Sequence, residues 1–505
     1  MKKHIQKMFL LILLLNLLLL PDGYSMKIHT AKRRFHKTIL LDKPVQIQIS
    51  HKLGNVFVAP TSNNQLEINA EIKVSSKSKA LAESYLKEIE IDVSERKTNV
   101  KISSDYPNEK NIRSASINFT LTIPEKCPIR ISNSFGDVLV GDTDGMKGGM
   151  DIKNGHGEIA LTNCEGEAIL INKFGSLNIS NHSGDVSIES SNSKSRLNMI
   201  RGNLSIENSF GKIEATNISG SASILNSNDD VILEKISGQI DIKNSFGDID
   251  VSETAQGLNI RGSNCDILVS DIKKETIIRN TFGDIQISKI NSNLTIDSQN
   301  SIIKIANVKG ETFVENSFGA VQVENIHAKL TIKNPNGNIS AMTVDNDIEI
   351  LSRFSSISLT NIAGNVDIVN SNGTVIATSV TGNVDIENSF GPVRLTKIGQ
   401  DIRVDNGNGS IRIKDPAVKL NSGQPAGKFC SNIDCSTSFG SIHLVLPQQA
   451  SIELFARTTW GQIDSEFPIQ VEEINNAESI SGKIGNGDTV VKLVGKNSNI
   501  YLLSK

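Results

Sequence analysis

Glu349, Asp367 and Asp385 stand eighteen residues apart, and Arg403 stands one further step along. Carboxylates held a few ångströms apart can cleave a glycosidic bond, one as acid and one as base or nucleophile, or can ligate a divalent cation. The spacing carries that meaning only if eighteen residues bring the chain back to the same place. Otherwise the column is a solvated face. Asp137, Asp248 and Asp284 each follow a Gly, but without the nonapeptide spacing of calcium-binding rolls. Cys430 and Cys435 lie together in KFCSNIDCS, a spacing that suits a small disulfide loop in an oxidising compartment. With no His or further Cys beside them, a zinc site is not indicated. Nucleophile elbows, phosphate loops and HExxH are absent from the sequence, so no cofactor or metal is expected.

The element that would position such a column is legible in the same register. Stepping by eighteen from Ile386 meets only Ile, Leu or Val from Ile152 to Val404, and a second column two residues earlier is nearly as pure. Positions i and i+2 share one face of a β-strand, not of a helix. Two more columns follow the next Gly, as in Ile285 and Ile287, and a fifth closes the unit, as in Ile290. Each unit therefore reads as strand, turn, strand, corner. A face this narrow is buried only by stacking like units, so the sequence predicts an all-β, single-chain β-helix, taken as right-handed because its steps are unequal. About eighteen coils at ~4.8 Å give a rod of ~85 Å.

Asn388 and its equivalents, Asn208, Asn226, Asn244, Asn280, Asn316, Asn334 and Asn370, form a column with the parity of the apolar residues. Buried corner amides must be satisfied, and a ladder of bonds to adjacent coils would do so. The alternative is a turn Asn facing water. Two residues further on, Phe210, Phe246, Phe282, Phe318, Phe354 and Phe390 recur every 36 residues, with Asn at the midpoints, so the true repeat is a pair of coils. Strand parity places these rings in the core as part of the structural ladder. An exposed stripe that binds a partner is the other possibility. The Gly that follows suggests a positive φ.

Residues 1–25 read as a signal peptide: a basic start, an apolar run from Met8 to Leu20 too short to span a bilayer, and small residues before the cut. An uncleaved anchor is the only membrane contact foreseen. Residues 26–125 form a β-rich cap with one helix, which Ser78 caps and which carries Leu81, Tyr85 and Glu88 on one face. Residues 126–414 are the regular β-helix, 415–436 a loop, and 437–505 the final coils and cap, where Trp460 and Gly461 take the Phe-Gly place.

The 52 basic and 55 acidic residues leave a net charge of −3, and one Trp and four Tyr are few, so nothing favours nucleic-acid binding. The opening LDKPVQIQISHKLGNVFV, the repeated NSFGDI and the closing SFGSIHLVLP, TTWGQID and IGNGDTVVKL resemble a bacterial cell-envelope family of adhesin-like β-helix proteins of unknown function. The resemblance covers roughly residues 40–505 and implies a β-helical fold and an envelope location, with no catalytic residue to carry over. The reading is an exported, non-catalytic, monomeric β-solenoid in the periplasm, on the surface or secreted, contacting an envelope protein or glycan. The alternatives are a carbohydrate-active enzyme using Glu349, Asp367 and Asp385, and a self-assembling filament.

Overall fold

The computed structural model describes residues 28–108, 111–143, 145–421 and 429–505. The signal-peptide segment and the middle of the 415–436 loop lie outside these. The chain divides into two compact units, Met1–Glu158 and Ile159–Lys505.

In the second unit each coil is the predicted one. Val384–Phe390 is a strand, the chain turns at Gly391, Val393–Ile398 is the next strand, and a corner leads to Ile402–Asn408 one level up. Val384, Ile386, Val393, Leu395 and Ile398 are all buried, and of the residues between them only Asn388 is buried with them. β-Branched side chains suit this pleated, half-buried ribbon. Successive coils pair in parallel with no slip in register: Ile278 lies opposite Ile296, and Val384 opposite Ile402. The coils number about 16, fewer than the eighteen expected.

Two corners per coil need special backbone. At the first, Gly283 has φ 110°, and a Cβ there would stand 2.3 Å from the carbonyl oxygen of Cys265 in the coil below. The second corner was expected, but its left-handed backbone was not. One residue before the fifth apolar column, at eighteen-residue intervals from Asn163 to Asp415, the backbone is left-handed, and no Gly occupies it. Lys235, Glu253, Lys289, Thr343 and Ser379 all adopt φ between 54° and 58°.

The first unit combines parallel coil-like strands with an antiparallel sheet. Gln46–Ser50 pairs in parallel with Ile129–Phe135, and Leu53 bridges Phe135, so this stretch is coil-like. His29–Leu40, Gln65–Ser76 and Ile112–Pro124 run antiparallel. The helix Lys79–Glu88 packs on the first two of these strands, with Ser78 Oγ accepting from Leu81 N–H at 3.3 Å. Its buried face is Ala82, Tyr85 and Leu86, not the expected Leu81, Tyr85 and Glu88. The Tyr85 hydroxyl fixes that rotation by donating to the carbonyl of Pro107 at 2.9 Å.

At the far end of the second unit, spatial order departs from chain order. Thr489–Lys496 inserts in parallel between Asn432–Phe439 and Ile452–Thr459. Ala477–Ile484 closes the outer side of Ile452–Thr459 in antiparallel fashion.

Candidate functional site

The corner after each first strand sorts its residues sharply. Asn208, Asn226, Asn244, Asn280, Asn316, Asn334, Asn370 and Asn388 are buried, as parity required. Asn280 Nδ2 donates to the carbonyls of Cys265 in the coil below and Phe282 in its own coil, both at 2.8 Å. Asn316 repeats this with Ser301 at 2.9 Å and Phe318 at 2.8 Å. The acceptor side is used only in places: Asn208 Oδ1 accepts from Ser190 Oγ at 2.8 Å and Asn388 Oδ1 from Asn370 Nδ2 at 3.2 Å, whereas the Oδ1 atoms of Asn244, Asn280, Asn316 and Asn334 are buried with no partner among the described residues.

The phenylalanines do not join that ladder, and the expectation that they fill the core is corrected. Phe174, Phe210, Phe246, Phe282, Phe318, Phe354 and Phe390 are 46% to 62% exposed, and Phe439 is 56% exposed. Parity fails past the Asn, where Ser389 and Phe390 both face out although the strand runs on to the Phe. The Asn amide draws the corner carbonyls inward, as Asn388 does with Phe390 O at 3.2 Å and Gly391 O at 3.1 Å, and the ring on that corner turns to water.

Neighbouring rungs alternate. Phe210 lies between Asn192 and Asn228, Phe246 between Asn228 and Asn264, and Phe282 between Asn264 and Asn300. These Asn side chains lie back along the corner: Asn228 Nδ2 donates to Ser209 O at 3.3 Å and Asn336 Nδ2 to Ser317 O at 3.2 Å. The alternation outlasts the sequence repeat. Thr437 and Thr458 both stand opposite Gly495, so the same register two residues on sets Asn497 between Phe439 and Trp460. Trp460 is 66% exposed. The inserted strand thus supplies the missing Asn rung, which no spacing in the sequence could reveal.

The acidic column exists as predicted. Glu349, Asp367, Asp385 and Arg403 are register partners on four successive coils. Its ends are closed by ion pairs, Glu349 to Lys329 at 2.8 Å, and both carboxylate oxygens of Asp385 accepting from Arg403 Nη1 at 3.1 Å. Burial, then the charges of Asp385 and Glu349, push the Asp367 carboxyl above the usual range. The described residues contain no grouping of three His, Cys, Asp or Glu suited to a metal ion. Asp248 and Asp284 belong to a second column, in which Asp230 Oδ1 accepts from Asp248 N–H at 3.1 Å and Asp266 Oδ1 from Asp284 N–H at 2.8 Å. These carboxylates tie coil to coil.

Cys430 and Cys435 do not form the expected bridge. Both are free and buried. Cys435 points into the core between Val404 and Leu493, and Cys430 Sγ donates to Asn432 O at 3.3 Å. Burial pushes the Cys430 thiol up to about 12 and that of Cys435 higher still, so neither is poised to react.

A family model described as Toastrack DUF4097 matches residues 45–260 and 325–502. No curated protein sequence matches the chain. Among solved structures, a protein of Clostridium sporogenes ATCC 15579, provisionally named a cell adhesion protein, is similar at 10% identity and TM-score 0.22, covering 44% of this chain and 100% of its own. A provisionally named adhesin of Parabacteroides merdae ATCC 43184 is similar at 11% identity and TM-score 0.13, covering 76% of this chain and 96% of its own.

Proposed function

Because the chain belongs to the Toastrack DUF4097 family, we propose that it is an exported, non-catalytic interaction protein of the cell envelope whose contact surface is the stripe of exposed aromatic rings. One observation carries this reading. Eight phenylalanines and Trp460 face water in a single register column. At roughly 100 Å² exposed per ring they make a patch of ~900 Å², beyond the 300–600 Å² of the largest patch on an ordinary monomer. Solvent exposure of that much apolar surface is unfavourable unless something covers it. Export is supported by the signal-like residues 1–25 and by the resemblance to envelope proteins.

The test is chemical cross-linking in fractionated cells with wild type and with the F246S/F282S/F318S variant. The wild type should be found in the envelope and capture partners that the variant loses. Equal capture by the two proteins would end the reading. The enzyme alternative is checked by a glycan panel with D367N/D385N, for which cleavage by wild type and not by the variant is the outcome that would revive it.

A further inference from the structure

We propose that the aromatic stripe of Ile159–Lys505 docks on the stripe of a second copy of this chain, antiparallel and displaced by one coil, so that each ring except the one at the overhanging end seats over a partner Asn rung. The proposal rests on the stripe being the interaction surface, and it names the occupant.

The first argument is spacing. Rings occur on every second coil, hence ~9.6 Å apart, and the intervening Asn side chains lie flat against the corner. A ring entering such a gap would stand ~4.8 Å from the ring on either side, inside the 4.5–7 Å range of aromatic pairs. A surface with the same ~9.6 Å repeat is needed to fill successive gaps. This chain carries one. The second argument is area. The ~900 Å² of ring surface matches the ~800 Å² per partner of a standard stable interface.

Symmetry then selects the orientation. A two-fold axis along the stripe puts ring against ring at equal height. A two-fold axis across it, lying between an aromatic rung and an Asn rung, interdigitates them in a closed, self-complementary pair. With nine aromatic rungs, full overlap places the axis on one side or the other of the central ring, Phe318.

Charge chooses the side. Three residues before each rung position is an outward-facing residue of the flanking strand, exposed wherever it is charged, and in this antiparallel pair that column faces its own copy. With the axis between Phe318 and Asn336, Lys243 faces Asp405, Arg261 faces Glu387 and Glu315 faces Lys333. At the ends, Glu189 faces Arg457. No like charges meet. With the axis between Asn300 and Phe318, Arg279 faces Lys333, Asp297 faces Glu315 and Glu207 faces Asp405, three repulsive pairs. Opposite charges across an interface fix register and suppress the wrong one.

The experiment is sedimentation of the full chain across a concentration series, with cysteine cross-linking. The native thiols are buried and will not interfere. Wild type should dimerise. K243E and D405K should each weaken the dimer about tenfold, and K243E/D405K together should restore it, because the pair is exchanged and not removed. N336C should link to its own copy through a short bis-maleimide, and N192C should not. Self-linking at N300C in place of N336C would overturn the assigned register. A wild type that stays monomeric at its highest soluble concentration would overturn the dimer. If that monomer still captures an envelope partner through its rings, the interaction reading survives alone. A dimer abolished by F246S/F282S/F318S, with no envelope partner captured by either protein, supports the second copy and removes the envelope reading.

Discussion

Phe282 and Asn280 sit two residues apart and exchange the places that hydrophobicity assigns them, the ring in water and the amide in the core. Their substitutions should separate accordingly. Phe282→Ala should change stability by no more than about 0.5–1 kcal/mol, as for an exposed side chain. Asn280→Ala should cost about 1–2 kcal/mol, because the carbonyls of Cys265 and Phe282 lose their donor inside the protein. Denaturant midpoints of the two variants check the order, and the reverse ranking would mean that the ring is internal. His51 supplies a pH test in the first unit. It is buried against Phe119 and Tyr106, Nδ1 lies 2.9 Å from Ser104 Oγ, and burial lowers its pKa from 6.5 to about 4. Between those values the unfolded chain takes up a proton that the folded one refuses, so stability falls as pH drops from 6.5 to 4, by roughly 3 kcal/mol, and this contribution is flat above 6.5. Denaturation of His51→Gln at pH 7 and 4.5 should lack that difference.

At the scale of the element, the two strands of each coil were readable because their pleat alternates the side chains that the core accepts. The backbone torsions of the corners were readable only where Gly marked them. The left-handed turn of the second corner went unseen because Asn, Met, Lys, Glu, Asp, Thr and Ser occupy its position, and none is diagnostic alone. Thr343 is the least suited, since a β-branched residue at φ 57° is strained. Thr343→Gly should therefore stabilise by about 1 kcal/mol, read as a raised denaturant midpoint, even though Gly is usually the costlier choice. The helix shows a similar limit. Its cap was evident at Ser78, and Ser78→Ala should cost about 1 kcal/mol by the same measurement. Its buried face was misjudged because Ala82 gives little hydrophobic signal and Tyr85 is steered by a hydrogen bond to Pro107.

At the scale of the molecule, each coil of the second unit is stabilised chiefly by the coils above and below it, so damage in one is felt in its neighbours. Ile278 is fully buried between Ile260 and Ile296, and Ile278→Asp should cost several kcal/mol because no counter-ion reaches it. An unchanged melting temperature would contradict the stacking itself. The candidate site was legible as a column and illegible as a surface. Which residues share a column is set by counting, since hydrogen-bonded coils of constant length keep one register, and the amino-acid sequence determines that without help. Which way a ring points at a bend depends on the torsions of the corner and on the amide that gathers its carbonyls. Which strand fills the rung between Phe439 and Trp460 depends on a segment returning from further along the chain. Only the tertiary structure decides those two matters, because both are settled by contacts between parts of the chain that no local period connects.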